Sequence, residues 1–401
     1  MDLTPSGRGL ELQAAMWDLM RRKVLPAEAL VAAFRTQHGA HTYPPMIEDL
    51  KQAARAAGLW NTFLPHISGL TTLDYAHIAE ISGWSPVLAP EAINGQAPDS
   101  GNMELLHLFG STEQKRQWLD PLLAGEIRSA FAMTEPDVAS SDATNIATSI
   151  RRDGDSYVIN GRKWWISGAA DERCQIMIVM GKTDTDEAPY RQQSMILVPM
   201  DTPGVTVERH IPMYGYQDQH GHSEITFRNA RVPASNLLGA EGDGFAMAQA
   251  RLGPGRVHHA MRCIGMAERA LALMADRAKT RVAFGHRLSD YGRTQDFLAE
   301  SRIDIDQARL LVLQTAALID TVGAKQARTE VAAIKIVAPR VAERVISRAI
   351  EVFGAQGLSD DTPLAYFHTW ARALRVADGP DAVHLRSIAR QELRRQHAYV
   401  G

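Results

Sequence analysis

The chain has 401 residues, 45% of them hydrophobic and 22% charged, with a formal net charge of −3. That length exceeds one ordinary hydrophobic core, so two or three packed units are expected. The near-neutral balance gives no reason to expect nucleic acid or an anionic membrane surface, and no apolar run approaches the ~20 residues needed to span a bilayer. The opening residues carry neither a charged-then-apolar signal segment nor an Arg-rich transit pattern. Cys174 and Cys263, widely separated, suggest neither a disulfide framework nor a zinc site. The expectation is a reduced, cytoplasmic protein without a metal and without membrane insertion.

Residues 1–128 read as an α-helical domain of short helices and loops. Residues 10–25 and 46–57 are helical in pattern, and Pro26, Pro44, Pro45 and Pro65 punctuate them. At Ser111 the run STEQKRQWLDPLLAG opens with a cap signal, then carries Trp118, Leu119, Leu122 and Leu123 at helical spacing. Residues 129–240 are strand-like. Tyr157-Val158-Ile159, then Asn160-Gly161, then Lys163-Trp164-Trp165-Ile166 predicts a hairpin turning at the Asn-Gly pair. Further strands are expected over 175–180, 194–200, 205–211 and 224–227, forming a small antiparallel barrel or sandwich. Residues 241–401 are helical again. Val331, Ile334, Ala338, Val341, Val345, Ala349 and Val352 mark one buried stripe, which Pro339 should kink or restart. Leu310, Leu311, Leu313, Leu318 and Ile319 give a second helix a broad apolar face. The fold class is therefore mainly α with a central β-domain.

Two stretches carry candidate chemistry. Phe131-Ala132-Met133-Thr134-Glu135-Pro136 leaves a strand and enters a loop, Asp137 to Asp142, rich in hydroxyls and small residues. Such a loop can offer backbone N–H groups and hydroxyl oxygens to a polar ring edge or a phosphate, and reads equally as a capped turn. The adjacent Trp164 and Trp165 end a strand, where one ring can pack inward while the other lines a surface. Asp378-Gly379 alone reads as an ordinary turn. The His258-His259 pair has no metal-type spacing to partners and reads as helix or surface.

Taken together these segments resemble the acyl-CoA dehydrogenase family over essentially the whole chain. Phe131 to Pro136 resembles the first family signature, and Lys163-Trp164-Trp165-Ile166-Ser167 resembles the strand that covers the flavin. Phe109 to Lys115 and Leu122 to Glu126 resemble the helix before the β-domain. Arg281-Val282-Ala283-Phe284-Gly285 resembles the segment whose arginine reaches the cofactor of a neighbouring subunit. Val352-Phe353-Gly354-Ala355-Gln356-Gly357 resembles the Gly-rich turn near the adenosine. The resemblance implies an N-terminal helical domain, a middle β-barrel and a C-terminal four-helix bundle, with FAD between barrel and bundle. It places Phe131, Met133, Thr134, Ser140, Trp165, Ile166, Ser167, Arg281, Phe284, Glu351, Gly354, Gln356 and Pro380 at the FAD, and Ser141, Arg256 and Gly379 at the substrate. The loop is one residue longer than the family's TEP-x-x-x-S-D, so Ser140 and Ser141 both fit the place near CoA. Pro380 stands where a hydroxyl residue is often found, and Glu351 where a glutamine often meets the adenosine.

The family's catalytic glutamate, in a Glu-Gly pair after the Gly-rich turn, corresponds here to Asp378, followed by Gly379. The family's second position for the base is Gly255, which carries no carboxylate. The resemblance implies that Asp378 removes the α-proton of an acyl-CoA thioester. The β-hydrogen goes to flavin N5, giving a trans-2-enoyl-CoA, and electron-transfer flavoprotein reoxidises the cofactor. An α-proton is too weakly acidic for an unaided carboxylate, so the thioester oxygen must be held by donors and burial must raise the carboxylate's pKa. A homo-oligomer, dimer or dimer of dimers, is implied as well. The Trp-Trp pair, the TEPDVASSD loop and ADGPDAVH most resemble members ten and eleven of the animal series and their bacterial relatives. The alternatives are a 4-hydroxy- or 4-phosphoacyl-CoA enzyme of that branch, a flavin oxidase similar to nitroalkane oxidases, and a flavin-binding protein without catalysis.

Overall fold

The computed structural model describes residues 2–183 and 186–395, the side chains of 250–254 excepted. Contacts divide the described chain into two units: residues 26–53 with 91–252, and residues 2–25 with 54–90 and 253–395.

The first unit is built on a sheet of eight strands: β1 (Arg128–Ala132), β2 (Ser149–Asp153), β3 (Ser156–Ser167), β4 (Cys174–Lys182), β5 (Gln193–Pro199), β6 (Val205–His210), β7 (His222–Pro233) and β8 (Leu237–Leu238). The path runs β6-β7-β3-β2-β4-β5-β8, with β1 pairing β4. β1 and β2 run parallel to β4, so the sheet is mixed and not the purely antiparallel one expected from the spacing. Strand spacing reports where chains turn but not which strand they return to. Ile159, Ile166, Met177, Val179, Ile196, Ile225 and Phe227 form its core. Near-continuous burial along β4 explains its unbroken apolar run.

The Asn160-Gly161 hairpin is not formed. β3 runs straight through these residues, and the turn lies earlier, where Gly154 at φ +63° joins Asp153 to Ser156. At Gly161 the register against β7 slips instead. A Cβ there would sit 2.3 Å from Thr148 Oγ1, so glycine is needed for close approach. Asn160 closes the irregularity with its side chain: its Nδ2 donates to Asn229 Oδ1 at 3.1 Å, and its Oδ1 accepts from the Asn229 N–H at 2.7 Å.

The second unit is helical, chiefly Gly7–Leu19, Thr72–Ser82, Gly292–Val322, Arg328–Phe353, Leu364–Ala373, Asp381–Glu392 and most of Gly244–Thr280. Thr71 and Asp74 form a capping box, and Asp74 also accepts the Ser6 N–H at 2.7 Å. Helices Thr72–Ser82 and Gly244–Thr280 cross on glycine. A Cβ on Gly265 would lie 2.0 Å from Glu80 O, and one on Gly83 would lie 2.3 Å from Arg262 O. Val331, Ile334, Ala338, Val341, Val345 and Ala349 are buried as their spacing predicts.

One proline expectation fails for a physical reason and another is narrowed. Pro26 does not end its helix. A π turn over Met20–Val24, with Leu25 N–H donating to Met20 O, changes the register just where proline lacks a donor. The same device, Lys115–Leu119, precedes Pro121. Pro339 lies inside the continuous helix Arg328–Phe353 and does not restart it. The expected broad face on Gly292–Val322 is narrower than its leucines suggest, since Leu310 is 57% exposed.

Candidate functional site

In the sheet unit, β1 alternates Ala130 and Ala132 into the core and leaves Phe131 half-buried on the other side. Beyond it the Met133–Glu135 backbone is tied down from below. Buried Lys163 donates through Nζ to Met133 O at 2.8 Å, Met180 O at 2.7 Å and Glu135 Oε1 at 2.8 Å. Glu135 also accepts the Ala147 and Thr148 N–H groups at 2.8 and 2.9 Å. Burial lowers the Lys163 ammonium to about 8, against the upward pull of Glu135. Burial works to raise Glu135, but the Lys163 charge and the donated hydrogen bonds outweigh it and hold the carboxyl below its usual range. Thr134 is exposed, and its carbonyl accepts the Trp164 N–H at 3.0 Å, so the loop and β3 are joined.

The two loop serines differ. Ser140 is buried, and its hydroxyl accepts the Glu135 N–H at 2.8 Å, closing the loop on itself. Ser141 is exposed.

The tryptophan pair breaks strand alternation. Trp165 adopts φ +54°, and the β3–β7 register shifts between Lys163 and Ile166. The bulge leaves the Trp165 ring 39% exposed. Ile166 is buried in the core. Ser167 pairs with His222 across the strands, and its Oγ lies 2.9 Å from His222 Nδ1. The His222 ring stands 5.4 Å from that of Trp165. An exposed indole, a fixed hydroxyl and a clamped backbone loop suit a flat heteroaromatic ring with polar edges.

In the helical unit, Asp378 and Gly379 both adopt positive φ, +54° and +97°. A non-glycine residue in this region costs free energy and persists only where its surroundings hold it. They do. Asp381 accepts from Arg340 Nε at 2.9 Å and from Arg375 Nε and Nη2 at 3.0 and 2.9 Å. Buried Lys335 donates to Leu374 O. Arg256 Nη2 donates to Asp378 O at 3.3 Å, and His384 Nε2 lies 3.3 Å from the same oxygen. Pro380 caps the helix Asp381–Glu392. The Asp378 carboxylate is left 28% exposed, with Oδ2 3.7 Å from His259 Nε2.

The electrostatics of this turn are set by burial beside cations. Burial, then the charges of Arg256 and Lys335, push the His384 imidazole down to about 4, so it is neutral. Burial also lowers Arg256 and Lys335, each opposed by Asp378. Among the described residues, Arg256 Nε is buried without a hydrogen-bond partner.

The remaining sequence-predicted residues lie elsewhere on the helical unit. Val282–Ala283 and His286–Arg287 form a small hairpin with Phe284 and Gly285 at its tip, both at positive φ. Phe284 is 96% exposed, and Arg281 is exposed beside it. Glu351, Gly354 and Gln356 are exposed where helix Arg328–Phe353 runs into a 3₁₀ turn. Arg256, Asp378, Gly379 and Pro380 thus form one constellation. His384, Lys335 and His222 belong with these sites and were not singled out from sequence, and His259, read there only as helix or surface, belongs beside Asp378. The one available signal was His259 three residues after Arg256, which puts both on one helix face.

Comparison with known proteins decides the family. The family model for the acyl-CoA dehydrogenase middle domain matches residues 130–230, and that for the C-terminal domain matches 242–393. The chain is 60% identical over 398 residues to "Probable acyl-CoA dehydrogenase FadE2" of Mycobacterium tuberculosis, covering 99% of this chain and 98% of that protein. The chain belongs to the acyl-CoA dehydrogenase family. It is therefore an oxidoreductase of acyl-CoA dehydrogenase type. It is also 51% identical over 396 residues to human acyl-CoA dehydrogenase family member 11, covering 97% of this chain but 51% of that longer protein. Among solved structures, butyryl-CoA dehydrogenase from Megasphaera elsdenii matches at a TM-score of 0.83 and 27% identity, covering 98% of this chain and 100% of that one. The acyl-CoA dehydrogenase fold expected from sequence is thus present. Among the described residues no helix is long and apolar enough to cross a membrane.

Proposed function

We propose that this acyl-CoA dehydrogenase binds FAD and oxidises an acyl-CoA thioester to the trans-2-enoyl-CoA, with Asp378 as the base. The observation that carries the reading is the clamped left-handed turn, which presents a partly exposed carboxylate while fixing its backbone on Arg256 and His384. FAD, when bound, supplies the redox chemistry by accepting the β-hydrogen with its electron pair. Phe131, Met133, Thr134, Trp165 and Ser167 would hold its ring. Lys163 and Glu135 fix the loop beneath them.

Every other part of the task falls to the chain's own groups. The Asp378 backbone N–H would donate to the thioester oxygen, where negative charge develops as the α-proton leaves. Asp378 takes that proton. Arg256 and Gly379 shape the space beside it, and exposed Ser141 is the better placed of the two loop serines to meet CoA. An aspartate is one methylene shorter than a glutamate, so the turn must bring its backbone closer to substrate, and placement within roughly 1 Å matters to rate.

The exposed Phe284 at a hairpin tip, with Arg281 beside it, supports a homo-oligomer in which this tip enters a neighbouring copy. Electron-transfer flavoprotein is the proposed electron acceptor. A second reading, an acyl chain carrying a 4-hydroxy or 4-phospho group, is favoured by the basic groups Arg256, His259 and Lys335 near Asp378.

A panel of straight, branched, 4-hydroxy and 4-phospho acyl-CoAs, added without oxygen and scored by bleaching of the bound flavin, tests the proposal. Bleaching followed by slow reoxidation in air is expected. Rapid peroxide formation, or no bleaching by any acyl-CoA, would overturn it in favour of an oxidase or a non-catalytic flavoprotein.

A further inference from the structure

Resting on the reading that Ser167 holds the flavin ring, we propose that His222 is a positioning residue for that hydroxyl. Its Nδ1–H donates to Ser167 Oγ, which leaves the single hydroxyl hydrogen for the polar edge of the ring. The two residues are direct cross-strand partners on β3 and β7, with Ser167 Oγ 2.9 Å from His222 Nδ1. That distance is already a hydrogen bond, so no side chain has to move to make it. The pair stands beside the indole that the bulge exposes, the His222 and Trp165 rings being 5.4 Å apart. Among the described residues the Ser167 hydroxyl has no other hydrogen-bond partner.

The segment that carries the imidazole is braced. His222 O accepts the Ile211 N–H at 2.6 Å, and Gly221 O accepts the Gly168 N–H at 3.2 Å. Asp218 Oδ1 accepts the His220 and Gly221 N–H groups at 3.1 and 3.0 Å. His41 Nδ1 lies 2.6 Å from the Asp218 carbonyl, to which it can only donate. Gly221 adopts φ +53°, and a Cβ there would lie 2.5 Å from Ala170 Cβ and 2.7 Å from His41 Cε1. Support of this kind fixes the ring that in turn fixes the hydroxyl.

Hydrogen counting sets the direction of the bond. A serine hydroxyl has one hydrogen and two lone pairs, and a neutral imidazole has one N–H and one bare nitrogen. Burial lowers the His222 pKa against the upward pull of Asp218, and His220 and His41 add to the lowering, so the ring is neutral. Were Nδ1 bare, Ser167 would spend its hydrogen there and could only accept from a ligand. The polar edge of an oxidised flavin is made mostly of acceptors, ring nitrogens and carbonyl oxygens, so the hydroxyl serves it as a donor. With the hydrogen on Nδ1, Nε2 is the bare nitrogen, and among the described residues it has no acceptor partner that would draw the hydrogen away.

The test measures the two-electron reduction potential of the bound FAD, by equilibration with a reference dye, in a double-mutant cycle of His222→Leu and Ser167→Ala. With Ser167 present, His222→Leu should change the ratio of affinities for reduced and oxidised FAD about tenfold, the worth of one hydrogen bond, which is a shift of about 30 mV. In the Ser167→Ala background the same substitution should leave the potential nearly where it was. His222→Asn, whose amide nitrogen can take the place of Nδ1 and donate, should stay near the wild-type potential. The flavin spectrum and thermal midpoint report that each variant is folded and loaded. A potential unmoved by His222→Leu, or moved equally in both backgrounds, would overturn the proposal and leave His222 a structural residue. A shift in His222→Asn as large as that in His222→Leu would overturn it too, because a donor at that place would then not suffice. Ser167→Ala with wild-type potential and FAD affinity would remove Ser167 from the ring, and with it the reading on which the proposal rests.

Discussion

Two glycines in helix Gly244–Thr280 should respond to alanine in opposite directions. At Gly265 the new Cβ would lie 2.0 Å from Glu80 O and 2.8 Å from Gly83 Cα, both backbone atoms that cannot rotate away. Reaching an ordinary contact of about 3.4 Å requires the helices to part by over 1 Å, and overpacking of this kind costs about 1–3 kcal/mol or more. The same helix carries Arg256 and His259, so the displacement reaches the base. A misplacement of ~1 Å can lower the rate by roughly 100-fold. At Gly255, by contrast, nothing among the described residues lies within 4 Å of the added Cβ. There alanine should stabilise by up to about 1 kcal/mol through helix propensity alone. Denaturation midpoints and the rate of flavin bleaching for Gly265→Ala and Gly255→Ala would read both effects. A Gly265→Ala protein as stable and active as the original would refute the close crossing and its control of the base.

Further outcomes follow from particular contacts. Lys163 is lowered to about 8 in the folded protein from an ordinary 10.5, so the unfolded chain binds the proton more tightly across that window. Wild-type stability should therefore rise between about pH 8 and 10.5 relative to Lys163→Met. A pH-independent difference between the two would contradict the burial of a charged ammonium. Trp165→Ala should weaken FAD binding by about 0.5–1.5 kcal/mol, the scale of an aromatic contact, measured by cofactor titration of the apoprotein. Unchanged affinity would remove the exposed indole from the cofactor site. Phe284→Glu should shift sedimentation toward smaller species and loosen FAD together, and a variant that changes neither would place the hairpin tip outside any subunit contact.

What was legible in the sequence divides along physical lines. β4 and β5 were readable because strands buried on both faces need apolar runs, and the 331–349 stripe because a helix must repeat its buried positions. The Asn160-Gly161 signal misled because a local turn preference was overridden by pairing with β7, and glycine was needed for Thr148. Pro26 misled because a π turn relocates the missing donor, and periodicity carries no mark of that. In the candidate site, Asp378 was found through its place in a family pattern, not through the Asp-Gly dipeptide. His259 was passed over because its meaning lies in a contact with a distant turn. His222 was hidden for the same reason: its neighbours Ser167 and Trp165 come from another strand.

The central claim is that Asp378 removes the α-proton, and Asp378→Asn tests it most directly. The amide keeps the size and turn of the side chain but cannot accept a proton. With FAD bound as in the original protein, anaerobic bleaching by the best acyl-CoA of the panel should slow by about 10²–10⁴-fold. Bleaching at a rate close to that of the unaltered protein would contradict it.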